Sequence, residues 1–273
     1  SKSTDLNSSY YNRSYMENYY NYMYGVGNYN YNNYENYLDP DKYIQIWGFY
    51  AGWGKRLRWP DDYFQLSLQL SYQRYILKNW RYFFVMSNGT ANNLSLNITL
   101  NRSSTDNQLY PRTGSEFSAS LSITPPWSKF DKKDYKHLAN DRFSATYQEE
   151  QQEKYRWVEY HKWKFKARTF TALNNGNKCF VLMTRIEFGL LGSYNKYKKS
   201  PFETFYMGGD GMSGYSSNYA QETIGLRGYE NGQLTQHGEG YAYERMTLEL
   251  RYPFLLGNTT IYGLGFVEAG NAW

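Results

Sequence analysis

Apolar and polar residues alternate along the whole length of Phe64-Gln65-Leu66-Ser67-Leu68-Gln69-Leu70-Ser71-Tyr72-Gln73. Alternation with a period of two places the apolar side chains on one face of a β-strand and the polar side chains on the other. Further strands are predicted on either side of it, within residues 43–58, 94–100, 116–123, 162–168, 180–188, 246–252 and 259–269. The sequence therefore predicts an all-β protein.

The connections between the predicted strands alternate between short turns and long loops. The turns fall at residues 59–62, 110–114, 174–177 and 256–258, and the long loops at 79–93, 124–160 and 193–240. A transmembrane barrel alternates in this way, with short turns on the periplasmic side and long loops outside the cell. We therefore predict a transmembrane antiparallel up-and-down β-barrel, with a β-sandwich or an oligomeric soluble barrel as the alternative.

The two faces of the predicted strands favour a barrel in lipid. The mean hydropathy is −0.81, as expected when every second residue of a barrel strand faces a polar lumen. Lys162, Lys164, Lys166 and Arg168 share one such face. A helix is predicted only within residues 141–157, and this segment is too polar to cover the apolar faces. Lipid is the simplest cover for them.

The residue types on which catalysis and metal binding depend are few or scattered. The net charge of +5 is spread along the chain and gives little support for nucleic-acid binding. Cys179 is the one cysteine, which excludes an internal disulfide, and we predict it as a small side chain within a strand. His137, His161 and His237 lack the spacing of metal ligands. We therefore predict no catalytic, cofactor or metal site and no enzymatic activity.

Residues 209–214 match the pattern G-x-G-x-x-G, which in dinucleotide-binding proteins follows a strand and begins a helix. Here the turn-forming stretch Tyr215-Ser216-Ser217-Asn218 follows the glycines. We therefore reject a dinucleotide site, and we interpret the glycines as a means for the loop to pass close to the barrel wall.

The chain divides into two regions of different composition. Residues 10–37 form a low-complexity tract that is rich in Tyr and Asn and has no helical pattern. We predict that residues 1–42 hold the end of one strand and a long extracellular loop, and that residues 43–273 form a barrel segment that includes the loop 193–240. The tract is either an aromatic contact surface for a partner or lipid headgroups, or ordinary outer-loop composition.

The long loop contains the stretch Thr223-Ile224-Gly225-Leu226-Arg227-Gly228-Tyr229-Glu230-Asn231-Gly232, in which glycines flank an arginine. Glycines let a backbone pack closely against its surroundings. The strands that follow the loop carry carboxylates at Glu249 and Glu268. We interpret this loop as one that folds back into the barrel, with Arg227 as its anchor.

Three stretches of the chain resemble the barrel of the BamA family, the central subunits of the machinery that assembles outer-membrane proteins. Residues 201–209 resemble the entry to that family's long sixth loop, and Leu226-Arg227-Gly228-Tyr229 resembles the signature at its tip. The turn that contains Tyr110, Pro111, Gly114 and Ser115 resembles a periplasmic turn of the family. Residues 247–253 and 266–270 match further, so the resemblance covers most of the chain from about Tyr43 onward. Several local matches resemble the Bacteroidetes branch of the family.

The resemblance implies that Leu226, Arg227, Gly228 and Tyr229 anchor the loop. Arg227 would enter the lumen and pair there with acidic side chains on the two following strands. The matching positions are Glu249 and Glu268, and Glu268 stands where other branches of the family have Asp.

The direction in which these two carboxylates face is predicted unequally well. Glu249 has inward parity, because it alternates with the apolar residues Leu248 and Leu250. Glu268 shares its parity with Leu264 and Phe266. Either those apolar side chains point inward and the small residues between them face lipid, or a β-bulge intervenes. The small residues are Gly263, Gly265 and Ala269.

The resemblance also implies a function. Barrels of this family have sixteen strands and fold and insert other barrel proteins in the bacterial outer membrane, and this chain would supply about strands 6–13. The expected partners are unfolded outer-membrane protein clients, accessory Bam lipoproteins or other outer-membrane subunits, and the lipid bilayer. We expect the full-length protein to add periplasmic POTRA domains and further strands. The alternatives are a related transporter (TamA-like or two-partner secretion), a passive porin, or a secreted glycan-binding β domain.

Overall fold

The computed structural model describes residues 2–6, 38–80, 87–131, 133–141, 143–176, 178–210, 221–235, 240–257 and 259–273, so the predicted Tyr- and Asn-rich tract at 10–37 lies outside the described residues. The strands are β1 (Lys2–Leu6), β2 (Leu38–Arg56), β3 (Phe64–Lys78), β4 (Gly89–Ser103), β5 (Gly114–Ile123), β6 (His161–Ala172), β7 (Val181–Gly192), β8 (Phe205–Met207), β9 (Glu222–Ile224), β10 (Ala242–Leu255) and β11 (Ile261–Ala272). The helices are α1 (Trp127–Phe130) and α2 (Tyr147–Tyr155), and α2 lies where a helix was predicted.

Nine of these strands form one sheet, in the order β1-β2-β3-β4-β5-β6-β7-β10-β11. Every neighbouring pair in it is antiparallel, and β8 and β9 form a separate parallel pair. The predicted antiparallel up-and-down architecture is confirmed. Within the described residues no pairing joins β1 to β11, so the sheet is a partial barrel.

No helix in the described parts of the chain has both the length and the apolar character that are needed to cross a membrane.

The short and long connections alternate in the structure as they do in the prediction. Residues 57–63, 104–113, 173–180 and 256–260 form the turns at one end of the sheet, which we call the short-turn end. Residues 79–88, 124–160 and 193–241 connect strands at the opposite end, which we call the long-loop end. β2 begins at Leu38, so it crosses the predicted boundary between residues 42 and 43. That domain division stays a prediction.

The two faces of the sheet differ in polarity, and the register fixes which residues share a face. Lys166 lies opposite Glu187 on β7, and Glu187 lies opposite Arg245 on β10. We call this polar side the inner face, because the loop that carries β8 and β9 packs against it. Alternate residues such as Phe188 and Met246 lie on the opposite, outer face and are exposed. The alternation of the sequence therefore predicted both faces of these strands.

The loop between β7 and β10 is packed inside the sheet. Phe202, Phe205, Met207 and Leu226 of this loop are buried, in one cluster with residues of the inner face. The ring of Phe202 stacks on that of Tyr75 from β3, with 4.5 Å between the centroids. Complete burial of one large apolar side chain contributes about 1.5–3 kcal/mol. The apolar residues of this loop therefore hold it against the wall before any charge is considered.

A buried ion pair joins the two longest loops at the long-loop end. Lys198 Nζ lies 3.7 Å from Glu159 Oε2 and 3.3 Å from the hydroxyl of Tyr135. Burial lowers the pKa of the Lys198 ammonium, and the Glu159 carboxylate opposes that shift. The backbone N–H of Ser128 donates to the same carboxylate oxygen at 2.7 Å. These contacts link residues 124–160 to the start of the loop that enters the barrel.

Candidate functional site

Arg227 lies just after β9 and reaches two carboxylates on the inner face of the sheet. Its Nη2 is 3.3 Å from Glu249 Oε1 on β10, and its Nε is 3.3 Å from Glu268 Oε2 on β11. The backbone N–H of Arg227 also donates to Glu268 Oε2, at 3.0 Å. The structure thus brings together the arginine and both acidic residues that the sequence singled out.

Further groups on the inner face hold the two carboxylates in place. Arg251 donates from Nη2 and Nε to Glu249 Oε2, at 2.7 and 3.0 Å. The hydroxyl of Thr247 donates to Glu268 Oε1 at 2.8 Å. The side chains of Glu249 and Glu268 are only 6% and 4% exposed, whereas that of Arg227 is 39% exposed. A buried carboxylate without a cation is costly. Loss of this contact would therefore destabilise the two buried glutamates more than the partly exposed arginine.

The structure settles the direction of Glu268 in favour of the first alternative. Thr247 lies opposite Glu268 and Glu249 lies opposite Phe266, with no bulge in this part of the β10–β11 register. The guanidinium of Arg227 lies over the ring of Phe266, 3.4 Å from its centroid. Val267, which lies between Phe266 and Glu268 in the chain, is 72% exposed on the outer face. Phe266 therefore shares the inner face with Glu268 and contributes a cation–π contact to the site.

The other residues of the loop signature have different surroundings. Leu226 is buried and pairs with Gly209 across the loop, whereas Tyr229 remains largely exposed. Gly228 has a φ of +93° and no atom near its would-be Cβ, so its backbone conformation requires glycine and close packing does not. A Cβ on Gly209 would collide with Asn231 of the same loop, not with the wall. The interpretation that the glycines of residues 209–214 let the loop pass close to the wall is therefore wrong at Gly209, and Gly211 and Gly214 lie outside the described residues. The interpretation that the glycines beside Arg227 allow close packing is wrong at Gly228.

A second charged cluster, centred on Glu187, was not predicted from the sequence. Arg245 Nη2 lies 2.5 Å from Glu187 Oε2, and Lys166 Nζ lies 3.0 Å from Glu187 Oε1. Arg245 also donates through Nη1 to the carbonyl oxygen of Gly225, two residues before Arg227. The signal for this cluster was available, because all three charged side chains have inward parity on strands β6, β7 and β10.

The predicted periplasmic turn motif braces the short-turn end from within. Tyr110 is buried, and its hydroxyl lies 3.1 Å from the carbonyl oxygen of Cys179 and 3.2 Å from that of Arg251. Burial raises the pKa of this hydroxyl to about 12. Tyr110 therefore connects the turn after β4 to the region before β7 and to β10. Cys179 lies two residues before β7, so the prediction that it belongs to a strand is wrong.

The remaining motif residues shape this turn. Gly114 has a φ of +109°, and a Cβ there would lie 2.4 Å from the carbonyl oxygen of Ser104. Ser115 Oγ accepts a hydrogen bond from Arg102 Nη1 at 3.0 Å. Pro111 is buried beside Tyr110. The motif thus fixes the turn in the conformation that directs Tyr110 inward.

We expect Tyr110→Phe to lower the free energy of unfolding by about 1–2 kcal/mol, because the ring stays while a buried hydrogen bond is lost. Urea titration of the full-length protein in detergent micelles measures this change. Tyr63→Phe is the matched control, since Tyr63 lies in another turn of the same end and is exposed. Equal effects of the two substitutions would contradict the bracing role of Tyr110.

Comparison with known proteins identifies the family. A family model described as the Omp85 superfamily domain matches residues 1–273, the full length of the chain. The chain belongs to the Omp85 superfamily. None of the curated protein sequences matches it.

Among solved structures, this Omp85 chain is similar to the crystal structure of BamA from Haemophilus ducreyi lacking POTRA domains 1–3. The TM-score is 0.56 and the sequence identity 18%, and the match covers 85% of this chain and 42% of that one. A likeness at this level of identity shows the barrel fold alone. The chain spans less than half the length of the BamA chain that it matches.

Proposed function

We propose that this chain is the central part of a BamA-type barrel, of the Bacteroidetes kind, that folds and inserts β-barrel proteins in the bacterial outer membrane. The contact of Arg227 with Glu249 and Glu268 carries the proposal, because it fixes a long loop inside the barrel. A passive porin needs a polar lumen that is open to water. Here apolar loop residues such as Phe205 and Met207 fill part of the interior.

The proposed activity uses strand edges and not covalent chemistry. An exposed strand edge offers unpaired N–H and C=O groups, and an incoming chain can pair with them as an added strand. Such templating needs a wall that keeps its shape while clients come and go. The residues of this chain supply that rigidity, since Arg227 and Arg245 tie the loop to β7, β10 and β11.

The proposal gives the two ends of the sheet an orientation. The short-turn end, with Tyr110, faces the periplasm, and the long-loop end lies outside the cell. The expected partners are unfolded outer-membrane proteins, accessory Bam lipoproteins or other outer-membrane subunits, and lipid. A TamA-like factor or a two-partner secretion transporter is the second candidate, because membership in the Omp85 superfamily supports these functions as well.

The test reconstitutes the full-length protein in liposomes and follows the folding of an unfolded barrel client by its gel shift. We expect clients of several kinds to fold at least about tenfold faster than in empty liposomes, a factor that corresponds to ~1.4 kcal/mol of barrier lowering. Acceleration for one dedicated partner alone would favour two-partner secretion. A steady ionic conductance in planar bilayers with no client folding would identify a passive pore and overturn the proposal.

A further inference from the structure

Lys162, near the start of β6, lies in a position that is unusual for a lysine. Its side chain is 3% exposed, although the ammonium group must remain solvated or paired. Nζ lies 2.8 Å from Glu222 Oε2 and 3.3 Å from Glu203 Oε2. It also lies over the ring of Phe205, 4.8 Å from the centroid. All of these partners belong to the long loop, so within the described part of the chain this wall residue is paired with the loop alone.

The two carboxylates lie next to β8 and β9, the parallel strand pair of the loop. Glu203 lies two residues before β8, and Glu222 is the first residue of β9. The backbone N–H of Glu222 donates to the carbonyl oxygen of Thr204 at 2.9 Å, so Thr204 and Glu222 lie side by side. Glu203 adopts a φ of +68°, which non-glycine residues rarely take without support from their surroundings. The ammonium group of Lys162 thus contacts the loop both before β8, at Glu203, and at the start of β9, at Glu222.

A neighbouring lysine strengthens one half of this contact. Lys164 lies two residues further along the same face of β6, and its Nζ is 3.0 Å from Glu222 Oε1. The Glu222 carboxylate is therefore bound through both oxygens. The side chains of Glu203 and Glu222 are 29% and 30% exposed, so water still reaches them, whereas it scarcely reaches Lys162. Of the three charged groups, Lys162 would therefore lose the most stabilisation if the ion pairs were broken.

We propose that Lys162 is a positioning residue that holds Glu203 and Glu222, and with them the loop beside β8 and β9, against the inner face of β6. It thereby sets how the following stretch, with Arg227, enters the interior. The Arg227 contacts lie on β10 and β11, and β7 separates β10 from β6 in the sheet. Lys162 thus adds a polar contact on β6 to the contacts that Arg227 and Arg245 make near β10 and β11 and to the apolar packing of the loop.

The role assigned to Lys162 differs from that of the other inner-face cations on β6. Lys166 lies four residues further along, and its partner is Glu187 on the neighbouring strand β7. That contact joins wall to wall. Lys166 therefore provides a control of the same residue type, strand and face, without the loop carboxylates as ion-pair partners and with a side chain that is 47% exposed.

The experiment is hydrogen–deuterium exchange of the full-length protein in nanodiscs, with attention to the peptide that covers residues 221–228. Several of its amides are hydrogen bonded, among them Glu222 to Thr204 and Leu226 to Gly209. Lys162→Met keeps most of the side-chain volume and removes the charge, and we expect it to accelerate exchange there at least about tenfold. We expect Lys166→Met and the charge-preserving Lys162→Arg to leave that exchange within about twofold.

The outcomes separate positioning from general destabilisation. Unchanged exchange in Lys162→Met, or an equal effect of Lys166→Met, would overturn the proposal, and so would an increase spread evenly over the barrel strands. If Lys162→Met does not fold, Glu222→Gln removes the contact from the loop side and must give the same local increase. The activity consequence rests on the proposed function, but exchange is measured without a client. If the protein folds no clients but residues 221–228 exchange slowly and depend on Lys162, the proposed function is wrong and the positioning role of Lys162 stands.

Discussion

Replacing Arg227 by alanine is expected to slow client folding by the reconstituted full-length protein at least about tenfold, the factor that accompanies a loss of ~1.4 kcal/mol. Among the residues that the structure describes, Glu268 loses its one side-chain cation and Glu249 keeps only Arg251. Both carboxylates are nearly buried, so the loop is expected to move away and admit water to them. The wall formed by β10 and β11 then loses the part of its inner support that Arg227 provides.

Two controls separate this effect from the loss of any arginine. Arg112→Ala removes an arginine that pairs with Asp106 in a turn of the short-turn end, and we expect client folding to stay within about twofold because such exposed pairs contribute about 0–1 kcal/mol. Arg227→Lys keeps the charge but cannot reach two carboxylates with separate nitrogens, so an intermediate rate is expected. A normal rate for Arg227→Ala would show that the anchor is dispensable.

The Glu187→Ala variant is expected to have the largest effect on stability, a loss of about 3–5 kcal/mol in the free energy of unfolding. The substitution leaves Arg245 and Lys166 without their shared carboxylate, and Arg185 lies close to the same group. Arg245 also holds the carbonyl oxygen of Gly225, so its displacement is expected to loosen the loop near Arg227. Urea titration in detergent micelles measures the loss.

Glu116→Ala is the matched control for this variant. Glu116 also lies on the inner face and pairs with one cation, Arg168, but its side chain is partly exposed. We expect its removal to cost about 1 kcal/mol or less, because water replaces the partner. A comparable loss in the two variants would mean that the Glu187 cluster contributes no more than an ordinary partly solvated pair.

Local alternation predicted the strands because each one has to satisfy two different environments. Leu248, Glu249 and Leu250 on β10 show the pattern clearly, and the structure places Leu248 and Leu250 on the outer face and Glu249 on the inner face. Connection lengths then predicted which ends of the strands lie together. Both signals are local in the chain, which is why they were sufficient for the fold.

Contacts that depend on several distant segments were beyond these signals. The facing of Glu268 was ambiguous because Phe266 shares its parity, and only the position of Arg227 over that ring explains why an aromatic residue lies inside. The hydrogen bond from Tyr110 to the carbonyl oxygen of Arg251 joins the turn between β4 and β5 to β10, and neither β4 nor β5 is a neighbour of β10 in the sheet. Lys162 has obvious inward parity, but its partners follow from the path of the loop and not from the pattern of β6.

The most direct test of the central claim is the client-folding rate of the double variant Arg227→Ala/Glu268→Gln, measured beside both single variants. Glutamine keeps an oxygen that accepts from Thr247, so the substitution removes mainly the charge that Arg227 neutralises. If the two residues act as one unit, their effects are not additive. We therefore expect the double variant to be as slow as Arg227→Ala, within about twofold. A double variant slowed by the product of the two single effects would contradict it.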